Sequence, residues 1–447
     1  MALDKIVSEL LSLDLSIKKL GPAQYDSPMK NSDNVVFVPE DERVLAVIDN
    51  SIVEEIFKNE NNKIPTFEKG GPRERLYFRP GNTVSAVVTC GGLCPGLNSV
   101  IRAIVMMNYY RYEKQLTYGI KYGYAGLVKE LGHEIDVLTV DDVSDIHTRG
   151  GTILGSSRGN QDPKDMVDQL EELGVNILYT VGGDGTQKGA LAIMKEIEKR
   201  GLNISVIGIP KTIDNDINFI QRSFGVETAF SEACESIHSA HTEADGAYNG
   251  IGLVKLMGRE SGFVAANAVL ATGEANFCLI PEVDFDLEGE KGLLSQIEQR
   301  LLRKNHVVIV VAEGAGQKYV NDPNNLQYDA SGNVKLGDIG HFLKDKINAH
   351  FKERGISMSL RYIDPSYNIR SCAPTPNDSI FCFQLAQMAV HAGMSGRTGM
   401  VVGYNHGQFI HLPVEVATSK RKKIDVQGQL WQSVLEATGQ PPNFKNS

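Results

Sequence analysis

Short apolar runs alternate with amphipathic segments along most of this chain. From residue 84 onward, eight runs have the length and β-branched content of buried strands: VSAVVT, LTYGI, ILYTV, ISVIGI, IGLVKL, FCLI, HVVIVV and GMVVGY. The spacers between them, such as PKDMVDQLEEL and KGALAIMKEIEKR, repeat apolar residues every three or four positions, which predicts helices. This alternation predicts parallel sheets that helices cover on both faces.

The number of strands favours two α/β domains over one, each with a doubly wound, Rossmann-like fold. Residues 1–80 lack the alternation, and we expect them to form a mostly helical N-terminal extension. We assign residues 81–225 with about 371–400 to the first α/β domain. The second α/β domain would then consist of residues 226–370 with about 401–447.

Charge and composition exclude several classes of protein. The 447 residues carry a formal net charge of −10, which argues against a general nucleic-acid or membrane surface. No apolar run approaches the roughly eighteen residues of a membrane-spanning helix, and the six cysteines form no metal-binding set. We therefore expect reduced thiols, a cytoplasmic protein, and neither nucleic acid nor membrane as a partner. The basic run SKRKKID, residues 419–425, predicts a solvated face.

Two glycine-rich turns follow predicted strands and precede predicted helices. In CGGLCPG, residues 90–96, backbone N–H groups beside a helix N-terminus can bind an anion. In GGDGT, residues 182–186, glycines would let a phosphate approach the backbone, but Asp184 would repel it unless a divalent cation joined them. Mg²⁺ is bound in this way, by one or two carboxylates and phosphate oxygens. The alternative for Asp184 is an N-cap of the helix that follows.

A third polar turn, PKTIDND at residues 210–216, follows the strand ISVIGI. In open α/β sheets, ligands bind at the carboxyl ends of the strands, so the three turns are expected to converge on one site. Lys211, Asp214 and Asp216 suit the transfer of a phosphoryl group to a hydroxyl. One aspartate would accept the hydroxyl proton, and the lysine would supply fixed positive charge against phosphate oxygens. An ordinary polar loop is the alternative.

Taken in order, GGDGT, PKTIDND, LVKLMGRESG and LIPEVDF resemble the phosphofructokinase family, over about residues 71–403. The resemblance implies an allosteric glycolytic kinase with Mg²⁺ as cofactor. It would phosphorylate the 1-hydroxyl of fructose 6-phosphate and form a homotetramer or homodimer. The first domain would bind the phosphoryl donor, and the second would bind fructose 6-phosphate.

The resemblance also implies a role for individual residues. Asp214 would be the catalytic base, Asp216 its partner, and Thr212 a ligand of the acceptor sugar or of the moving phosphoryl group. The residues expected around the donor are Gly92, Arg158, Gly183, Asp184, Gly185, Thr186 and Lys211, with Asp184 on the metal side. Those expected around the sugar are Met257, Gly258, Arg259, Glu282, Arg361, Tyr367 and Arg370. Arg361 and Arg370 would bind the 6-phosphate, because forked guanidinium groups pair strongly with dianions.

The sequence departs from the bacterial-type pattern at two places. Gly250 stands where many such members carry an arginine that reaches the sugar phosphate of a neighbouring subunit. In the expected effector region, Arg102 is present but the next arginine position holds Met106. The bacterial-type effector site is therefore not transferred to this chain.

Two positions distinguish family members that use ATP from those that use inorganic pyrophosphate. Pyrophosphate users typically carry aspartate at the position of Gly185, where its charge would oppose the α-phosphate of a nucleotide. They also carry lysine at the position of Lys211, where many ATP users carry glycine, so the two markers disagree. A like-charge contact that solvent screens poorly is a strong barrier, whereas a lysine can bind the terminal phosphates of either donor. The resemblance therefore favours ATP, with pyrophosphate as the alternative.

Two other functions share part of the pattern. NAD kinases and lipid kinases also contain GGDG, but they do not explain PKTIDND, MGR and the paired arginines. A non-catalytic sensor of sugar phosphates would usually lose the base or the metal carboxylate. Asp184, Asp214 and Asp216 are all present, which favours an enzyme.

Overall fold

A computed structural model describes residues 2–32, 34–58, 63–328, 332 and 334–446. By its internal contacts the chain divides into two compact units. The first unit contains residues 1–212, 217–224 and 373–420, and the second contains residues 213–216, 225–372 and 421–447. Within the described residues, no helix is both long enough and apolar enough to cross a bilayer.

The strands of the described residues are short in the N-terminal segment and longer from residue 84 onward. They are β1 (Lys18–Lys19), β2 (Tyr25–Asp26), β3 (Arg43–Leu45), β4 (Thr66–Lys69), β5 (Arg75–Leu76), β6 (Val84–Thr89), β7 (Leu116–Ile120), β8 (Ile135–Val137), β9 (Ile177–Gly182), β10 (Ser205–Pro210), β11 (Gly250–Leu256), β12 (Phe277–Leu279), β13 (His306–Ala312), β14 (Ser359–Ile363), β15 (Arg397–Thr398), β16 (Met400–Asn405) and β17 (Gln408–Pro413).

Helices occupy most of the spacers between these strands. The α-helices are α1 (Ala2–Leu11), α2 (Asn50–Lys58), α3 (Leu97–Arg111), α4 (Pro163–Glu172), α5 (Asp184–Arg200), α6 (Val226–Asp245), α7 (Phe263–Thr272), α8 (Leu293–Lys304), α9 (Ile339–Glu353), α10 (Ser366–Ser371), α11 (Pro376–Met394), α12 (Val414–Ala417) and α13 (Gln429–Thr438). Short 3-10 helices are η1 (Pro28–Asn31), η2 (Gly123–Leu127), η3 (Lys129–Leu131), η4 (Ile146–Thr148) and η5 (Gln317–Tyr319).

The first unit is built on a mixed sheet with the order β3-β4-β17-β16-β10-β9-β6-β7-β8. Its centre, from β16 to β7, is parallel, and the strands at both edges are antiparallel. Side chains of α4 and α5 pack with Ala86, Val88 and Leu178 on one face. On the other face, Gly393 of α11 lies so close to Ile177 that a Cβ there would be 2.7 Å from its side chain. Helices therefore cover both faces, as the alternation predicts.

The second unit contains a four-stranded parallel sheet with the order β12-β13-β11-β14. Ile251 and Leu253 of β11 pack with side chains of α8 and α9 on one face. On the other face, a Cβ at Gly252 would lie 2.8 Å from the carbonyl oxygen of Ala240 in α6. The predicted strands from VSAVVT to GMVVGY are all present, and the prediction of an α/β fold is confirmed.

The prediction of a mostly helical N-terminal segment is only partly right. Helices α1 and α2 are present, but β3 and β4 extend the large sheet through antiparallel pairing with β17. Glu68 of β4 is buried and accepts hydrogen bonds from Arg397 at 2.6 Å and from His411 at 2.7 Å. These partners lie more than 300 residues away from Glu68 along the chain, so local sequence periodicity cannot predict the contacts.

The predicted domains and the observed units differ in several stretches, among them residues 213–216, which the prediction places in the first domain and the contacts place in the second unit. The prediction places residues 401–420 in the second domain, whereas their contacts place them in the first unit. The reason is the hairpin of β16 and β17, which continues the large sheet towards β4. The assignment of one ligand to each domain stays a prediction.

Candidate active site

Three turns of the first unit, residues 90–96, 182–186 and 210–212, lie at the carboxyl ends of neighbouring strands. Together with residues 156–158, which contact the first turn, we call them the glycine-turn cluster. Strands β6, β9 and β10 are adjacent in the sheet. Past their ends, the N–H of Cys90 donates to the oxygen of Val181 at 2.9 Å. The N–H of Lys211 donates to the oxygen of Gly182 at 3.0 Å. The structure therefore brings the three predicted turns together, because each follows a strand of the same parallel set.

The first turn is held in a defined orientation from both sides. Gly91 has a φ of +84° and its N–H donates to the oxygen of Ser157 at 3.0 Å. The hydroxyl of Ser156 donates to the oxygen of Gly91 at 2.5 Å. Since a trans peptide places its C=O and N–H on opposite sides, this bond also fixes the direction of the Gly92 N–H. The same contacts bring Arg158 beside the turn, where its side chain is exposed.

Lys211 is buried, and its ammonium contacts the first turn. Its Nζ donates to the oxygen of Gly92 at 2.5 Å, and a Cβ added to Gly91 would lie 3.3 Å from that Nζ. The next residue, Thr212, accepts a hydrogen bond on its backbone oxygen from the hydroxyl of Ser223 at 2.6 Å. A fixed positive charge therefore lies against the glycine turn that the sequence predicts as an anion site.

The second turn leads directly into α5, with Gly183 as N-cap and Asp184 as the first helical residue. Gly185 is exposed, and nothing lies within 4 Å of the position that a Cβ would take. Thr186 is buried, and its backbone oxygen accepts from the hydroxyl of Tyr124 at 2.7 Å. The helix start offers backbone N–H groups to an anion, and Gly185 leaves space beside them.

Sequence reasoning missed Gln187, which joins the ends of two strands. Its buried side-chain amide donates to the oxygen of Gly182 at 3.0 Å, and longer contacts at 3.4 Å reach Thr180 and Ile209. Gln187 therefore fixes the ends of β9 and β10, from which the second and third turns start. Its helical position gives no sequence signal for this role.

The carboxylate of Asp184 is a candidate ligand for a divalent cation. Its side chain is 20% exposed and forms an ion pair with Lys188 at 2.9 Å. Among the described residues, no group of three or more His, Cys, Asp or Glu side chains could hold a metal ion by itself. Mg²⁺ is usually held by one or two carboxylates with the remaining ligands from water and phosphate. The residues present therefore fit a Mg²⁺ ion that arrives with a phosphate donor.

In the second unit, charged residues gather around the end of the third turn, and we call them the aspartate cluster (residues 213–216, 257–262, 313 and 421–424). Asp214 is 8% exposed, and its Oδ1 has no hydrogen-bond partner within the described part of the chain. Its backbone oxygen accepts from the hydroxyl of Ser261 at 2.8 Å. Burial, followed by the charges of Asp216 and Glu313, raises the pKa of Asp214 to about 7.

Asp216 lies in different surroundings, because a cation contacts its carboxylate. Nη1 of Arg421 lies 2.5 Å from Oδ2 of Asp216, and the N–H of Lys422 donates to the backbone oxygen of Asp216 at 2.8 Å. The ammonium of Lys422 lies 4.8 Å from the centre of the Phe263 ring. Burial lowers the pKa of Lys422 to about 7, although Asp216 opposes this effect.

The prediction of a solvated face for residues 419–425 is therefore wrong in its middle part. Arg421 and Lys422 are partly buried against the aspartate cluster, whereas Ser419, Lys420, Lys423 and Asp425 of the same run are exposed. A basic run has the same sequence pattern whether its charges meet water or a distant carboxylate. The deciding partner, Asp216, lies 205 positions away.

Glu313 is a further member of the cluster that sequence reasoning missed. It follows β13 directly, and burial raises its pKa, while the nearby charges of Arg259, Lys255 and Arg370 oppose the rise. Its neighbour Gly314 donates its N–H to the oxygen of Gly258 at 2.9 Å. Its position after the predicted strand HVVIVV is the same kind of signal as that of Asp184 and could have identified it.

The sequence of this chain matches a known protein family. A profile for phosphofructokinase matches residues 84–393. The chain belongs to the phosphofructokinase family. The ATP-dependent 6-phosphofructokinase of Borreliella burgdorferi is 46% identical over 445 residues, which cover 97% of this chain and 98% of that protein. The protein of the same name from Amycolatopsis methanolica is 44% identical and covers 96% of each chain.

Other phosphofructokinases extend the comparison. The ATP-dependent 6-phosphofructokinase of Trypanosoma brucei brucei is 49% identical over 83% of this chain and 76% of that protein. The crystal structure of a pyrophosphate-dependent phosphofructokinase from Marinobacter aquaeolei matches with a TM-score of 0.66 and 19% identity. That match covers 80% of this chain and 91% of the other. At this identity it shows a shared fold only.

Three of the residues predicted to bind the sugar, Met257, Gly258 and Arg259, follow one another along the chain. Met257 is buried, and Gly258 adopts a φ of +130°, where a Cβ would be 2.5 Å from the oxygen of Ser261. The N–H of Arg259 makes a long contact of 3.5 Å with Oδ2 of Asp214. The guanidinium of Arg259 donates to the oxygen of Val334 at 2.5 Å. This stretch therefore lies within the aspartate cluster.

Glu282 contacts backbone rather than other predicted sugar ligands. Each of its carboxylate oxygens lies 3.1 Å from the N–H of Gly262, at the start of α7, and Oε1 accepts from Ile424 at 2.8 Å. These bonds connect the start of a helix with the C-terminal segment. The predicted role of Glu282 in sugar binding stays a prediction.

The two predicted phosphate arginines have different partners in this phosphofructokinase. Arg361 lies on β14 and pairs with Glu243 at 3.3 Å, with both side chains more than half exposed. Arg370 lies on α10, 5.0 Å from the ring of the exposed Tyr367, and its charge influences Glu313. Arg370 therefore lies near the aspartate cluster, and the 6-phosphate role of both arginines stays a prediction.

Gly250 explains one departure from the bacterial-type pattern. A Cβ at this position would lie 2.0 Å from the carbonyl oxygen of Ala244. Any side chain here would therefore force α6 away from the start of β11. The backbone in this phosphofructokinase excludes an arginine at position 250.

Proposed function

We propose that this chain transfers the terminal phosphoryl group of ATP to the 1-hydroxyl of fructose 6-phosphate, with Asp214 as general base. The chain is an ATP-dependent 6-phosphofructokinase of glycolysis, since proteins of that name are 44–49% identical to it over most of its length. The assignment of the base rests on the buried Asp214 carboxylate, whose pKa is raised and whose Oδ1 has no hydrogen-bond partner among the described residues.

Asp214 has the properties of a base that works near neutral pH. A base is most effective when its pKa is close to the operating pH, because it is then both unprotonated and able to bind a proton. A pKa of about 7 for Asp214 meets this condition, whereas an exposed aspartate would be a much weaker base. Its Oδ1, which has no hydrogen-bond partner in the part of the chain that the structure describes, is the atom to which we assign the proton of the 1-hydroxyl.

The glycine-turn cluster would bind the donor. Lys211, Arg158 and the Gly92 N–H would hold charge that develops on the transferred group, so catalysis rests on positioning and electrostatics. Gly183 and Thr186 at the start of α5 would contact donor phosphates. When bound, Mg²⁺ would neutralise phosphate charge, and Asp184 would be its protein ligand.

The acceptor would be bound by residues of the second unit, and the family resemblance implies a role in acceptor binding for Thr212 as well. Arg259, Arg361, Tyr367 and Arg370 would hold the sugar phosphate, and Met257, Gly258 and Glu282 complete the set implied by the family resemblance. A dianionic phosphate matches forked guanidinium groups well. Asp216 would keep its orientation through Arg421.

ATP is preferred to pyrophosphate because of the space beside Gly185. No atom lies within 4 Å of a Cβ at this position, so nothing in the described residues opposes the rest of a nucleotide there. Lys211 serves the terminal phosphates that both donors share. Support for pyrophosphate as the alternative donor is limited to Lys211 and to the fold shared with pyrophosphate-dependent enzymes.

A direct test measures fructose 1,6-bisphosphate formed from fructose 6-phosphate and Mg²⁺ with a single donor. Turnover with ATP alone is the expected result. Turnover with pyrophosphate alone would show that Lys211, rather than Gly185, sets the donor. The absence of turnover with both donors would reopen the hypothesis of a non-catalytic sensor.

The proposal also covers assembly and location. We expect a homodimer or homotetramer in the cytoplasm, with no nucleic-acid or membrane partner. No disulfide joins any of the six cysteines in the described residues, which supports a reducing compartment. Gel filtration with light scattering would measure the oligomeric state.

A further inference from the structure

Arg421 contacts two carboxylates of the aspartate cluster. Its Nη1 lies 2.5 Å from Oδ2 of Asp216, and its Nε lies 3.6 Å from Oε1 of Glu260. The Asp216 side chain is 6% exposed, and that of Arg421 is 23% exposed. An ion pair that is largely removed from water is screened little and holds its partners in one geometry.

The backbone beside Arg421 strengthens the same connection. The N–H of Lys422 donates to the oxygen of Asp216 at 2.8 Å, and the N–H of Ile424 donates to Glu282 at 2.8 Å. Glu282 in turn accepts from Gly262 at the start of α7. Two backbone hydrogen bonds directly after Arg421 therefore hold this segment in place and oppose a shift of Arg421 away from Asp216.

The two aspartates of the third turn consequently differ in their partners. Asp216 has a guanidinium against its carboxylate, whereas Oδ1 of Asp214 has no partner in the described part of the chain. Both carboxylates lie on one short turn, with Asn215 between them in a left-handed conformation at a φ of +54°. Rotation of either side chain would therefore change the electrostatic surroundings of the other.

We propose that Arg421 is a positioning residue for phosphoryl transfer. Its ion pair keeps the Asp216 carboxylate from competing with Asp214 for the proton of the acceptor hydroxyl. Asp214 is therefore the group that accepts this proton. This inference rests on the proposed function, in which Asp214 is the base. Arg421 itself is assigned no contact with either substrate.

The test compares Arg421→Ala and Arg421→Lys with a matched control, Lys420→Ala. Lys420 is the neighbouring residue of the same basic run, but it is exposed and pairs with the exposed Glu9. We expect Arg421→Ala to lower kcat by roughly 10²-fold, since small misplacements of reacting groups cost this much. The KM for ATP should change less than about threefold, because Arg421 does not contact the donor.

The conservative variant and a small molecule separate positioning from folding. Arg421→Lys keeps the positive charge but lacks the planar, forked guanidinium group. We therefore expect its kcat to be about tenfold higher than that of Arg421→Ala. Added guanidinium at millimolar concentration should partly restore Arg421→Ala, whereas urea should not. Lys420→Ala should keep the wild-type kcat.

Each result has a defined meaning. A kcat of Arg421→Ala within threefold of the wild type would overturn the proposal. So would a lowered kcat that neither guanidinium nor lysine restores in a variant with the wild-type melting temperature. If Arg421→Ala does not fold, Arg421→Lys decides by the same kcat criterion. An inactive wild-type protein would instead contradict the proposed function, so the two failures are distinguishable.

Discussion

The glycine-turn cluster and the aspartate cluster differ in the chemical groups that they present. In the first, the ligand-binding groups are mainly backbone, held by contacts such as Ser156 to Gly91 and Lys211 to Gly92. In the second, charged side chains lie close together with little water, as Asp214, Asp216 and Glu313 do. Both clusters follow strand ends, and the second contains a carboxylate, that of Asp214, whose pKa is raised to about 7.

The two clusters suit two different tasks, which are binding the phosphate donor and accepting a proton. A phosphate donor needs many N–H groups and fixed cations, which glycine turns and a helix N-terminus provide without any change of protonation. An acceptor hydroxyl needs a group that binds and releases a proton. A carboxylate can do this near neutral pH when burial and nearby negative charges raise its pKa.

The largest effect should come from removing the base. Asp214→Ser keeps a polar side chain but cannot accept the proton, so we expect kcat to fall by roughly 10²–10⁴-fold. Steady-state kinetics with ATP and fructose 6-phosphate would measure it. Asp165→Ser, an exposed aspartate in the first turn of α4, is the control and should change little. A near-native kcat in Asp214→Ser would exclude Asp214 as the base.

A charge added to the glycine-turn cluster should separate the two donors. Gly185→Asp places a carboxylate where a nucleotide would pass, so we expect kcat/KM for ATP to fall by roughly 10²-fold more than that for pyrophosphate. Gly185→Ala is the matched control, because a Cβ here meets no atom within 4 Å. It should lose far less ATP activity than the aspartate variant. Equal losses with both donors in Gly185→Asp would contradict the steric and electrostatic account.

The raised pKa of Asp214 should also reduce stability at high pH. The folded state keeps the proton up to about pH 7, whereas the unfolded state loses it near 3.8, the ordinary pKa of an aspartate. The native state therefore binds more protons between these values, and stability falls as pH rises through this window. Asp214→Asn should thus stabilise the protein at pH 8 by roughly 1–4 kcal/mol.

Denaturant unfolding of Asp214→Asn and the wild type at pH 8 and pH 5 would measure this effect. The difference should shrink at pH 5, where the wild-type carboxyl is protonated in the native state. An asparagine variant that is less stable than the wild type at pH 8 would argue that the Asp214 charge is well compensated.

Sequence patterns predicted the regular part of the fold well. The eight apolar runs from residue 84 onward became strands because their burial is continuous, as in β9 and β10. The three turns could be placed at one sheet edge because parallel strands share the direction of their ends. The glycine-turn cluster was therefore accessible to sequence reasoning almost completely, with Gln187 as the missed residue.

The remaining features depend on contacts between distant segments. Strands β3 and β4 are short and gain their place only through β17. The basic run at 419–425 has the pattern of a solvated surface until Arg421 meets Asp216, whereas Glu313 could have been identified from its position directly after a predicted strand. Charged side chains carry no periodic signal of burial, so the aspartate cluster was only half predictable.

The most direct test of the account is the pH dependence of kcat/KM for fructose 6-phosphate. If Asp214 is the base, activity should fall about tenfold per pH unit below a value near 7. Asp214→Glu, measured with the same substrates, identifies any inflection that belongs to substrate ionisation, because such an inflection is common to both enzymes. A wild-type inflection near pH 7 that moves in the glutamate variant is the predicted result. A wild-type profile that stays flat from pH 8 to pH 5 would contradict the central claim.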